Sequence, residues 1–208
     1  MPATIQKILK PTKYRAVDTS TSLQPVGKDL VIGGTFPGTA AEGSAGTTEW
    51  EFSGTGDDVS IGSNKLVFDG SGDGTEENAI QDTDQGLVAG SFKVGRTYKV
   101  TYTLSGLNFH SSTTSKLRCL LYSQDPSPQD GKYYFGEITQ IRNQVGDRQE
   151  NRTYTEYVTI DNPAGSSTNR ILWQSITDPV SAEISNFSVY ECESFGNNNH
   201  GQIYSGRA

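Results

Sequence analysis

At 208 residues the chain can hold one good-sized domain with tails, and a second full domain would be crowded. With 20% charged residues, 2 Trp, 10 Tyr, 8 Phe, 23 Gly and 8 Pro, the composition suits short strands and irregular loops, and no helical stripe of useful length appears. The net charge is −7, no apolar run approaches the roughly 18–20 residues that cross a bilayer, and Met1–Leu9 lacks the apolar core of a secretory signal; a soluble, unprocessed chain without a membrane partner is expected.

The first 28 residues form a basic arm. Lys7, Lys10, Lys13, Arg15 and Lys28 against Asp18 give it +4, which leaves −11 on residues 29–208 of a chain whose total is −7. Pro2, Pro11 and Pro25 block a continuous helix, so an extended arm is expected. Its apolar content exceeds what a purely solvated tail needs. Ile5, Lys7, Ile8, Leu9, Lys10, Lys13, Tyr14 and Arg15 are therefore the anchoring candidates, docking on an acidic surface or adding a strand to a neighbouring subunit. The bland alternative is a disordered start. Nucleic acid is not an expected partner, because the arm has little aromatic interleaving and the acidic body repels phosphate.

Beyond the arm, Asp29–Phe36 opens a glycine-rich stretch, and Ile32–Glu76 holds 11 of the 23 glycines. This region should be surface loop, pinned to the core by Trp50 and Phe52. Asp57, Asp58, Asp69, Asp73, Glu76 and Glu77 crowd here and read as solvated turn acids; hard oxygen ligands on flexible loops also suit a structural calcium, although Asp69–Gly74 lacks the spacing of a helix-loop-helix calcium loop. Strands are expected at Lys65–Phe68, Ala79–Gln81 and Leu87–Val88. After the Lys93–Arg96 turn comes the clearest strand, Thr97–Leu104, in which Tyr98, Val100, Tyr102 and Leu104 alternate with Thr97, Lys99, Thr101 and Thr103. Lys116–Tyr122, Tyr133–Ile141, Thr153–Ile160, Asn169–Ser175 and Glu183–Tyr190 follow, separated by turn clusters such as Asp125–Gly131 and Asp161–Gly165. About ten strands with non-local pairing is the count of a jelly roll.

Four segments carry a family resemblance: Leu30–Phe36, Trp50, Gly95–Tyr102 and Ile184–Val189. In this order they resemble the carbohydrate-binding-module-like, or galactose-binding-like, jelly rolls found in structural proteins of tailed bacteriophages. The sequence departs from that pattern at Gly33, where asparagine is usual, and at Arg96, where lysine is usual. The resemblance implies an all-β jelly-roll β-sandwich over residues 29–193, preceded by the extended arm (1–28) and followed by a tail (194–208). Many sandwiches of this kind carry a structural calcium. Phe195–Ala208 in turn resembles the opening peptide of laminin-G-like or concanavalin-like sandwiches in phage fibre and tail proteins. The chain stops where the next strand of such a domain would begin, so the expectation is the ordered part of a longer protein or, alternatively, a terminal contact arm.

Catalytic signatures do not appear. No Gly-x-Ser-x-Gly elbow, phosphate-cradling glycine loop or His-Glu-x-x-His helix is present, and His110 reads as a loop histidine. No enzyme activity and no cofactor are therefore expected. Cys119 and Cys192 read as buried free thiols, and with His110 and His200 they complete no metal set. Sugar rings stack on aromatic faces while flanking amides and acids bond their hydroxyls. That makes Tyr122, Tyr133, Tyr134 and Trp173 the glycan-binding candidates, with Gln124, Asp130, Asn143 and Gln174 nearby in sequence; the competing assignment for these aromatics is the core, favoured for Trp173, which alternates with Ile171. The resemblance implies a virion structural protein, decorating the capsid or forming part of a head or tail fibre, with other virion proteins, further copies of itself and a host surface glycan as partners. The alternative is a carbohydrate-binding module of a bacterial glycan-degrading system. Asn151–Thr153 and Asn186–Ser188 match glycosylation acceptors, and chance accounts for them in that setting.

Overall fold

The structure is a computed structural model, described for residues 23–41, 49–54, 58–70, 76–93, 95–110, 114–122, 133–139, 151–160, 169–176 and 180–194. Two compact units divide the chain, Gly27–Glu191 and a smaller one made of Met1–Val26 with Cys192–Ala208. In the smaller unit the described residues are strand β1 (Leu23–Val26) and the last residues of β12 (Ser181–Ser194), including the buried free thiol of Cys192.

The larger unit is all-β among the described residues. Its strands are β2 (Ala40–Ala41), β3 (Glu51–Ser53), β4 (Val59–Gly62), β5 (Lys65–Asp69), β6 (Glu77–Asp82), β7 (Thr97–Asn108), β8 (Lys116–Tyr122), β9 (Tyr133–Thr139), β10 (Arg152–Thr159), β11 (Arg170–Ile176) and most of β12. One sheet runs β10-β7-β12-β5-β4-β2 and the other, five-stranded, runs β3-β6-β11-β8-β9. Apart from the consecutive pairs β4–β5 and β8–β9, neighbouring strands are far apart in the chain, which makes this the sandwich with long crossovers that the sequence implied. Arm residues 1–22 and tail residues 195–208, with the anchoring candidates Ile5, Lys7, Ile8, Leu9, Lys10, Lys13, Tyr14 and Arg15, lie outside the described residues.

Alternation builds the core. Tyr98, Val100, Tyr102 and Leu104 of β7 are all buried, as their spacing dictates, and they face inward beside Ala182, Ile184, Phe187 and Val189 of β12. Ile171 and Trp173 of β11 and Leu117, Cys119 and Leu121 of β8 line the opposing sheet. Trp173 is fully buried and meets two rings of the other sheet edge-on, Tyr102 at 5.3 Å and Phe187 at 5.5 Å. Trp50, also fully buried, packs against Phe36 at 5.3 Å and donates Nε1–H to the Gly33 carbonyl. These aromatic contacts hold the glycine-rich opening segment against the sandwich.

Two local features follow from backbone sign. Ser63 and Asn64 both have positive φ (55° and 60°) between the paired Gly62 and Lys65, which makes the β4–β5 connection a type I′ hairpin turn, the turn whose twist matches the flanking strands. In β12, Asn186 (φ 51°) interrupts the alternation: Ala182 and Ile184 point inward, and after the extra residue Phe187 and Val189 do.

One expected strand is absent. Leu87–Val88 forms no strand because turn bonds capture its surroundings, Gly86 N–H to the Thr83 carbonyl and Leu87 N–H to the Asp82 carbonyl, leaving Leu87 buried and Val88 58% exposed.

Candidate functional site

Each strand that buries one row of side chains turns the next row outward. On the five-stranded sheet this outward face carries three transverse rows. The register pairs Arg118 of β8 with Gln174 of β11, Gln174 with Asn78 of β6, and Asn78 with Ser53 of β3. Their polar groups form a relay in one direction: Arg118 Nε donates to Gln174 Oε1 (2.8 Å), Gln174 Nε2 donates to Asn78 Oδ1 (2.7 Å) and Glu76 Oε2 (3.0 Å), and Asn78 Nδ2 donates to the Ser53 carbonyl (3.1 Å). Both hydrogens of the Gln174 amide are thereby used, so its orientation is fixed.

The second row is apolar. Leu172 stands between Leu120 and Ile80, and with Tyr122 these residues form a small cluster separate from the main core. The third row places Arg170 between Tyr122 and Asp82, with Arg170 Nη2 3.4 Å from Asp82 Oδ2. Asp82 Oδ1 accepts the Asp84 N–H, and Gln85 Nε2 bonds Glu51 Oε2 at the β3 edge. A polar row, an apolar row and an arginine–carboxylate row thus lie side by side; Leu120, Leu172, Tyr122 and Gln174 are buried, and the groups partly exposed to a ligand are Arg118, Asn78, Ile80 and Arg170.

Of the aromatic candidates, the sheet face brings one into this arrangement: Tyr122, 8% exposed and packed on Leu120 and Leu172. The register sets Tyr134 opposite Leu120 and Tyr133 opposite Leu121; their side chains lie outside the described residues. Trp173 is a correction. It points into the core between Tyr102 and Phe187, and a sugar cannot reach it. Gln124, Asp130 and Asn143 lie outside the described residues. Sequence reasoning passed over Arg118 and Asn78; the polar alternation of Lys116 and Arg118 with Leu117 and Cys119 was a usable signal for the first, whereas Asn78 joins the row only through strand register.

Other chemistry-bearing residues assemble into structural contacts. His110, in a left-handed conformation (φ 48°), places Nε2 2.5 Å from Ser181 Oγ, and Ser181 Oγ donates to the Asp69 carbonyl at 2.8 Å. With the hydroxyl proton committed there, the pair clips the segment that follows β7 to the paired ends of β5 and β12. Cys119 is a free thiol whose pKa burial pushes well up, so it is protonated and unreactive at neutral pH. Among the described residues no three His, Cys, Asp or Glu side chains converge as metal ligands. Asp58, Asp69, Glu76 and Glu77 are among them, and Asp57 and Asp73 lie outside.

No protein-family model matches the sequence, and no curated protein matches it either. Similar solved structures include the enzymatically active domain of tailspike protein 4 of bacteriophage CBA120 (14% identity, 69% of this chain and 19% of that one, TM-score 0.43). They also include the C-terminal family 22 carbohydrate-binding module of Clostridium thermocellum Xyn10B (17% identity, 84% and 100%, TM-score 0.41). A third is the CBM22-1 xylan-binding domain of Paenibacillus barcinonensis Xyn10C (11% identity, 81% and 97%, TM-score 0.39). The chain spans about a fifth of the tailspike domain's length (19%) and about a quarter (26%) of that of an α-L-arabinofuranosidase that it also resembles.

Proposed function

We propose that this chain is a non-catalytic structural protein of a tailed-phage particle, a capsid decoration or a head or tail fibre component, and that the outer face of its five-stranded sheet takes a host surface glycan. The observation that carries the glycan part is the fixed relay Arg118–Gln174–Asn78, in which the buried Gln174 amide holds the partly exposed Arg118 and Asn78 in place beside the partly exposed Ile80. Donors and acceptors held in place by their neighbours lose little freedom when a ligand binds, which favours weakly held, hydroxyl-rich ligands. Support for the particle part comes from charge and composition. A basic arm studded with Ile5, Ile8, Leu9 and Tyr14 precedes a body of net charge −11, an asymmetry suited to docking on other virion proteins and on further copies of the chain.

The test mixes purified particles stripped of this protein with the full chain and with a version lacking residues 1–28. Rebinding by the full chain alone, at fixed stoichiometry, supports the virion assignment. If both forms stay monomeric, ignore particles and are retained on glycans, the chain is instead a carbohydrate-binding module of a glycan-degrading system.

A further inference from the structure

We infer that a second, independent ligand site lies at the junction of the opening segment and β12: an open pocket of mixed polar and apolar lining that takes a single sugar-sized polyol. The pocket has a volume of about 370 Å³ and is lined by Asp29, Gly33, Gly34, Thr35 and the β12 residues Asn186, Phe187 and Ser188. That volume lies at the small end of the roughly 300–1,000 Å³ typical of small-molecule sites, enough for one monosaccharide unit.

The walls are held rigidly. Phe187 N–H donates to the Gly34 carbonyl (2.8 Å), and a Cβ at Gly34 would sit 2.0 Å from the Phe187 carbonyl oxygen, so only glycine permits this approach. Phe36 N–H and Trp50 Nε1–H both donate to the Gly33 carbonyl. Gly33 (φ 60°), Phe36 (φ 50°) and Asn186 (φ 51°) all adopt left-handed backbone here, and two of the three are not glycine. Such conformations cost energy and gather where a site needs its groups aimed.

The lining chemistry selects the ligand. Asp29 Oδ1 accepts the Val31 N–H (3.0 Å) and the Val189 N–H (2.9 Å), which anchors the carboxylate and leaves Oδ2 outside those bonds. Thr35, Asn186 and Ser188 make no side-chain hydrogen bond to the described residues, so two hydroxyls and one amide stand uncommitted around one cavity. An anion is disfavoured, because the one ionisable lining group is a carboxylate. A divalent cation is disfavoured too: it wants about 6–8 convergent oxygens, and the pocket offers one carboxylate with an oxygen already used twice. Sugar hydroxyls, each both donor and acceptor, match a mixed set of hydroxyl, amide and carboxylate. Phe187 is only 2% exposed and offers no stacking platform, so binding rests on hydrogen bonds and falls in roughly the millimolar range.

The test is a titration of the ¹⁵N-labelled full chain with glucose, galactose, mannose, N-acetylglucosamine and myo-inositol, each to roughly 100 mM. One of them is expected to shift the amide signals of Gly33, Gly34, Thr35, Asn186 and Ser188 together and saturably. Asn186→Gly, which keeps the left-handed backbone but removes the amide, and Asp29→Asn, which keeps the Oδ1 acceptor, are each expected to weaken binding about tenfold or more. Folded protein with no movement of those signals for any ligand overturns the inference, as do shifts that survive both substitutions. Side-chain signals of Arg118 and Gln174 report the sheet face separately, so this site can fail while that one stands, and the reverse.

Discussion

Arg118 and Gln174 stand opposite each other on β8 and β11, with Arg118 Nε donating to Gln174 Oε1 at 2.8 Å. The same amide gives its hydrogens to Asn78 and Glu76, so one residue, 5% exposed, orients a charged group on one side and two acceptors on the other. Removing a member of such a network leaves its partners unsatisfied in a low-dielectric setting, which costs more than the bond is worth.

Gln174→Leu, which preserves size, is therefore expected to destabilise the protein by about 1–3 kcal/mol in urea unfolding, the cost of leaving Arg118 Nε and Asn78 Oδ1 without their partner. A cost near zero in the unfolding midpoint would mean that the relay is replaced by water.

Trp173→Ala removes the ring at the centre of the sandwich and is expected to cost about 3–5 kcal/mol, because the two edge-on contacts to Tyr102 and Phe187 cannot close over the space left behind. Trp173→Phe is expected to cost markedly less. Comparable losses for Tyr122→Ala, which lies in the small outer cluster, would contradict this placement of the core.

What the sequence made legible was alternation, and what it hid was register. The inward row of β7 is readable from Tyr98 to Leu104 because period-two spacing is a local property. Trp173 could be suspected of core membership from its alternation with Ile171 for the same reason. The row Arg118–Gln174–Asn78 joins strands 96 positions apart in the chain, and nothing local announces which residue of β6 stands opposite which residue of β11. Leu87–Val88 was misread because two apolar residues resemble a strand until the turn bonds around them are known. The pocket at Gly34 was half legible: its two segments, Leu30–Phe36 and Ile184–Val189, were the ones singled out by resemblance, while their mutual contact is a feature of the fold.

Tyr98 supplies an alkaline prediction. Burial pushes its phenol up to about 12, and the hydroxyl accepts the Lys93 N–H and donates to the Ser91 carbonyl. A folded-state pKa raised above the unfolded value of about 10 means that the contribution is fully present below pH 10 and is lost as pH rises toward 12. Stability measured across that window should fall more steeply for the native chain than for Tyr98→Phe; equal slopes would contradict it.

Glu183 supplies the acid counterpart. Hydrogen bonds from Lys65 Nζ (2.5 Å) and Ser105 Oγ (2.9 Å) hold its carboxyl below the ordinary glutamate value. A depressed pKa contributes stability above the unfolded value of 4.5 and loses it as pH falls through the folded one. Both partners are more than a third exposed (37% and 39%), so solvent screening keeps the contribution below about 1 kcal/mol. The difference between the native chain and Glu183→Gln should shrink on acidification and on adding salt, as read from urea midpoints.

A glycan held on the outer face of the five-stranded sheet would retain the full chain on a broad glycan array, run beside Gln174→Leu and Arg118→Leu with folding of each checked by circular dichroism. Saturable retention on a defined set of glycans is expected, weakened about tenfold or more by either substitution in folded protein. Folded native chain retained by no glycan, or retention that both substitutions leave unchanged, would contradict it.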